Sequence, residues 1–222
     1  MLTLNRYLRE PINSLTHMAG ALVSITGCIL LIILTWGQTT KVIALGIFGL
    51  SLVFLYTISA LYHGIYLPDK KMMWLNRLDH VAIFLLIAGT YTPIVAILFP
   101  PVWRTVILVV IWTATILGII YKVFSKRIHG VINASLYLII SWAGAIPAIL
   151  LSQLRPVFFT GGFRLILLGG LIYTAGFFIY VRKRPNPWPN IFGHHEIWHL
   201  FVLGGSLCHF LFMLFYIVPH QG

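Results

Sequence analysis

The chain has 222 residues, 59% of them hydrophobic and only 9% charged, with a mean hydropathy of +0.95. A soluble domain carries about 25% charge, so a soluble enzyme domain, a disordered chain, a coiled coil and a disulfide-rich secreted module are excluded. The net charge of +11 falls in short segments between apolar runs, as membrane topology produces, and no nucleic-acid partner is expected.

Seven apolar runs are read at about residues 16–35, 42–63, 79–98, 102–123, 131–151, 163–181 and 195–218. At ~20 residues per spanning helix, seven spans leave only short connections. The expectation is an all-α, polytopic membrane protein with one seven-helix transmembrane domain over residues 1–222. The first run reads as a retained helix rather than a signal peptide, because six more follow it. Residues 67–77, with Pro68, Asp69 and two lysines, read as a polar loop. Pro100 and Pro101 separate the third and fourth runs, and residues 182–194 contain three prolines.

Orientation follows from the basic residues. Arg6, Arg9, Lys70, Lys71, Arg77, Lys122, Lys126, Arg127, Arg182, Lys183 and Arg184 fall on one side, against Lys41, Arg104, Arg155 and Arg164 on the other. The positive-inside rule puts the N-terminus in the cytoplasm and the C-terminus outside. Cys28 and Cys208 lie inside apolar runs and read as small packing residues.

Ionisable groups within spans are costly and usually functional. Asp79 and Glu196 stand at the predicted starts of helices three and seven. His17 opens helix one, His63 closes helix two, His80 follows Asp79, and His195 and His199 open helix seven. Alternating topology brings all these ends to one depth near the inner leaflet. His195 and His199 are an i, i+4 pair on one helix face, a common way to hold zinc. His63 completes a three-histidine set with an open fourth position, the catalytic zinc pattern; iron, nickel and copper also suit imidazole. Ser59 lies one turn before His63, and its hydroxyl either joins the site or bonds a backbone carbonyl. Asp79 either serves the site or caps helix three. His17, His80 and Glu196 are candidates to support the ligands, although Glu196 also fits a plain helix-start acid. His209 lies ~15 Å deeper and is read as a core histidine bonded within the bundle. His129, His194 and His220 have no metal partner. Trp74, Trp103 and Trp198 read as interface anchors.

Ser59-x-x-x-His63, then Arg77-Leu-Asp79-His80 leading to the run from Ala88 to Pro93, then His195-Glu-Ile-Trp-His199, resemble the hemolysin III branch of the progestin and adiponectin Q receptor family. Glu10-Pro-x-Asn13-x-x-Thr16-His17 resembles its bacterial members, and the likeness runs from about residue 9 to the C-terminus. The resemblance implies seven helices with a cytoplasmic N-terminus, zinc on His63, His195 and His199, Asp79 beside the metal-bound water and Ser59 next to it. It also implies kinship with membrane hydrolases that include alkaline ceramidases. The leading expectation is a zinc-dependent hydrolase of a lipid amide or ester in membrane homeostasis. Asp79 would be the general base and Ser59 the hydrogen-bond donor, with a fatty-acyl ligand in a cavity among the helices. The rivals are a non-enzymatic membrane-state sensor with structural zinc and a pore-forming hemolysin. The sequence is compatible with a homo-oligomer.

Overall fold

A computed structural model describes residues 7–125, 130–143, 161–189 and 191–221. Arg6, Lys126, Arg127, His129, Arg155 and residues 144–151 of the fifth predicted span lie outside them. The elements are helices α1 (Pro11–Leu34), α2 (Thr39–Gly64), α3 (Asp69–Leu98), α4 (Pro101–Phe124), α5 (Gly130–Ala143), α6 (Phe163–Arg182) and α7 (His194–Phe212), the last extended by a π-helical turn, Met213–Ile217. Among the described residues, six helices are long and apolar enough to cross a membrane: α1 to α4, α6, and α7 with its π-turn. The chain is a polytopic helical membrane protein. Apolar side chains satisfy the lipid, and helical hydrogen bonds satisfy the backbone within each segment.

Helices begin earlier than hydropathy suggests. Proline stands at the first turn of α1 and of α4, where its missing N–H costs nothing. α3 starts at Asp69, directly after Pro68, so residues 69–77 are helix rather than the expected loop. Hydropathy marks where lipid begins, not where a helix begins, and Asp69 favours the positive end of the helix dipole. Asp79 therefore lies inside α3 and caps nothing. Arg77 is likewise helical. Its guanidinium donates to the Val123 and Ser125 carbonyls at 2.6 and 3.1 Å, covering the C-terminal end of α4.

The packing order explains the interior. α1 packs on α2 and α7, α2 on α3, α3 on α5, α5 on α6, and α6 on α7. These six close a ring, while α4 lies outside against α3. The ring surrounds a cavity of about 260 Å³, to which α4 contributes no described residue. At the far end, buried Lys41 ties α2 to the chain's last turn by donating to the Val218 and His220 carbonyls.

Small residues set the closest helix approach. A Cβ on Gly49 would come within 3.0 Å of the Cys28 Cα on α1, whereas at Gly46 it would meet open space. Cys28 is buried and unpaired, in keeping with a packing role. Gly49→Ala is expected to destabilise by about 1–3 kcal/mol through overpacking, and Gly46→Ala by much less. Thermal unfolding of both variants in one detergent checks this; equal stabilities would contradict the close contact.

Candidate metal centre

The chain before α1 organises the site. The four last carbonyls of a helix lack intrahelical partners. At the end of α2 they are met from residues 9 and 10: Arg9 N–H donates to the Gly64 carbonyl at 3.1 Å and Glu10 N–H to that of His63 at 2.8 Å. The Arg9 guanidinium donates to the Tyr62 carbonyl at 2.6 Å. This clamp holds the Glu10 carboxylate against the His63 ring, with Oε2 at 2.6 Å from Nδ1. Partial burial works against the Glu10 charge. The hydrogen bond and charge of His63, the Asn13 hydrogen bond and the Arg9 charge outweigh it and hold the carboxyl at about 2.

Three imidazoles then converge. His63 from α2 and His195 and His199 from α7 each offer a ring nitrogen, and these atoms all lie within 4.8 Å of one another. Ring centroids are 4.7 to 5.1 Å apart across the trio. His63 and His199 are buried, and His195 is half-buried. The Nε2 of His195 and the Nδ1 of His199 are buried without a hydrogen-bond partner. Such orphan atoms are costly unless something binds them. Glu10 occupies the His63 Nδ1, which leaves Nε2 for an ion and raises its basicity, the usual support of a metal-bound histidine. The donor set therefore fits a metal ion that accepts imidazole, without fixing which. Among the described residues, no fourth His, Cys, Asp or Glu joins the cluster.

Asn13 links the supporting shell. Its Nδ2 donates to Glu10 Oε2 at 3.1 Å and to Glu196 Oε1 at 2.9 Å. Glu196 also accepts from the Gly193 N–H at 2.8 Å, so it caps α7 and ties it to α1 at once. His17 is buried and stacks on His199, with centroids 3.7 Å apart, and neither of its ring nitrogens has a hydrogen-bond partner. His80 is turned to its own helix, with Nδ1 at 2.7 Å from the Asn76 carbonyl oxygen.

Ser59 lies beside the Asp79 carboxyl, near the charges of His63 and His80. Two compartments meet here. A vestibule of about 290 Å³ is lined by Glu10, His63, His80, Tyr180 and His195. The apolar cavity runs inward from His17, Ser59 and His199. Asp79, Ile83, Tyr137 and Trp198 line both. Trp198 is thus a wall of the site rather than the expected interface anchor, because its position on α7 turns it into the ring. Trp74 and Trp103 are exposed as expected. His194 turns to Asn186 instead. His209 lies deep in the cavity wall, beside the Ile166 backbone.

The haemolysin-III-related family pattern matches residues 5–210. The chain belongs to the haemolysin-III-related family. It is 37% identical over 225 residues to "Hemolysin-3" of Bacillus cereus, covering 99% of this chain and 97% of that one. It is 36% identical over 217 residues to "Hemolysin-3 homolog" of Bacillus subtilis (strain 168), covering 94% of each. A "Heptahelical transmembrane protein 4" of Arabidopsis thaliana is 28% identical over 155 residues, covering 64% of this chain and 40% of the plant protein. Membership in the family agrees with the expected hemolysin III branch and with a multi-pass protein of the cell membrane.

Glu10 and Asn13 are the site residues that charge and spacing missed. Glu10 precedes the first apolar run, and nothing periodic marks it. The Glu10-Pro-x-Asn13 motif was the only sequence signal. If the carboxylate supports His63 as the geometry indicates, Glu10→Gln lowers metal affinity about 10- to 100-fold. Competition with a fluorescent zinc chelator measures it; wild-type affinity in the variant would show that the 2.6 Å contact has no effect on the metal.

Proposed function

We propose that this haemolysin-III-related protein is a zinc-dependent hydrolase that cleaves an amide or ester bond of a membrane lipid. The observation that carries the reading is the junction of the two compartments at Asp79, beside three convergent imidazoles with orphan nitrogens. An amphiphile fits it: the polar head in the vestibule, the acyl chain in the apolar cavity, the scissile carbonyl between them.

His63, His195 and His199 would hold the ion, with Glu10 and Asn13 keeping the first in register. Bound zinc supplies a Lewis acid that makes water acidic near neutral pH and polarises a carbonyl. Asp79 takes the proton of the attacking water as its oxygen bonds to the carbonyl carbon. Ser59 holds that carboxylate in position. When the bond to nitrogen or oxygen breaks, Asp79 returns the proton to the leaving group. The products are a fatty acid and the amine or alcohol of the head. The apolar wall keeps bulk water from the chain and orients the carbonyl.

The test is fatty-acid release from vesicles doped with a panel of lipid amides and esters, before and after chelation and after zinc is restored. Release that chelation abolishes and zinc restores supports the reading. A chelated protein that loses stability, with no lipid cleaved by the loaded form, instead supports a sensor in which the metal only locks α2 to α7.

A further inference from the structure

The inner end of the cavity carries polar groups that hydrolysis at the histidine end does not use. Tyr173 and His209 line it, with rings 5.6 Å apart. Behind them Ser206 is buried, accepts a hydrogen bond from the Tyr56 hydroxyl at 2.7 Å, and shares another with the Tyr173 hydroxyl at 2.8 Å. A phenol has one donor and two acceptor positions. If Tyr173 donates to Ser206, its lone pairs stay open to the cavity; if Ser206 donates, the Tyr173 O–H stays open. His209 lines the cavity beside the Ile166 backbone, and a neutral imidazole offers one donor and one acceptor nitrogen. Tyr173 and His209 together can thus give and accept a hydrogen bond within walls that are otherwise mostly apolar. Such groups are expensive to bury against hydrocarbon alone, and they are the kind that orient a ligand. Ser206 and His209 follow His199 by seven and ten residues, or ~10 and ~15 Å along α7 at 1.5 Å per residue.

We propose that Tyr173 and His209 form a second polar station that recognises a hydroxyl group carried within the acyl chain. The inference rests on the reading of this cavity as an acyl site and deepens it. The spacing places the hydroxyl about eight to twelve carbons from the scissile carbonyl, at ~1.25 Å of extended chain per carbon. A hydroxyl matches the station because it donates and accepts at once, whereas an unsubstituted chain leaves the remaining hydrogen-bond capacity of Tyr173 and His209 unused. The substrate class is a lipid acylated with a mid-chain hydroxy fatty acid.

The experiment displaces a fluorescent fatty acid from the full chain in lipid nanodiscs with stearate and with 2-, 10- and 12-hydroxystearate. The 10- or 12-hydroxy acid is expected to bind about five- to tenfold tighter than stearate, the gain of one hydrogen bond. The 2-hydroxy acid gains nothing, because its oxygen lies at the wrong end. In Tyr173→Phe the ratio of the two affinities falls to about twofold or less. The ratio is read within one protein, so a change in overall stability does not enter it, and His209→Leu gives a second reading. Equal binding of stearate and the mid-chain hydroxy acids by wild type overturns the station but leaves the acyl cavity standing. A preference that survives in both variants overturns the assignment to these residues. Failure of every acid to displace the probe overturns the acyl cavity and the station with it.

Discussion

Asp79→Asn is expected to lower lipid turnover by about 10²- to 10⁴-fold, the usual cost of losing a general base, while the protein keeps its metal. The argument is positional. Asp79 is the acid common to both compartments and lies beside Ser59, yet it does not belong to the group of side chains that could hold an ion. The asparagine keeps the shape and the contact to Ser59 but cannot hold a proton in transit. Ser59→Ala should act more mildly, since it removes at most one hydrogen bond of about 1 kcal/mol net and leaves the base. Release of fatty acid from vesicles, paired with elemental analysis of the same samples, reads both effects. Turnover at the wild-type rate in Asp79→Asn would remove the residue from the chemistry.

The second large effect concerns the histidines and stability. A ligand that binds only the folded state at a thousand times its dissociation constant stabilises by about 4 kcal/mol. The three imidazoles come from α2 and α7, and Glu10 and Asn13 bring α1 to them. Chelation should therefore lower the unfolding temperature of wild type by several degrees, with re-addition of zinc restoring it. His63→Ala should unfold at the chelated temperature whether or not chelator is present. His209→Ala is the matched control: same residue type, deeper in the same bundle, no share in the cluster. It should retain the chelator-sensitive increment. Loss of that increment in His209→Ala, or its survival in His63→Ala, would contradict the assignment.

What the sequence made legible follows from which interactions are local. His195 and His199 share a helix face by spacing alone. His63 joins them because each span reverses direction, so ends far apart in sequence return to one depth. Those steps need only hydropathy and the count of spans. Asp79 was placed at the right depth but at the wrong point of its helix, since the polar first turns of α3 continue a helix that lipid no longer surrounds. Glu10 was out of reach for a different reason. It arrives at His63 only because residues 9 and 10 answer the exposed carbonyls at the end of α2, a tertiary contact that no periodicity records. Trp198 was misread because an aromatic near a span end has two destinations, the interface and the ring interior, and helix rotation decides between them. The cavity itself depends on the non-local closures of α3 on α5 and of α1 on α7, which a single sequence does not state.

The central claim is that His63, His195 and His199 hold a metal. The most direct measurement is the metal content, by elemental analysis, of the protein purified in detergent without chelator, alongside His63→Ala, His195→Ala and His199→Ala. The account predicts about one zinc per wild-type chain and its loss from each of the three variants. A metal-free wild type, or zinc that persists in all three variants, would contradict it and return these histidines to helix packing.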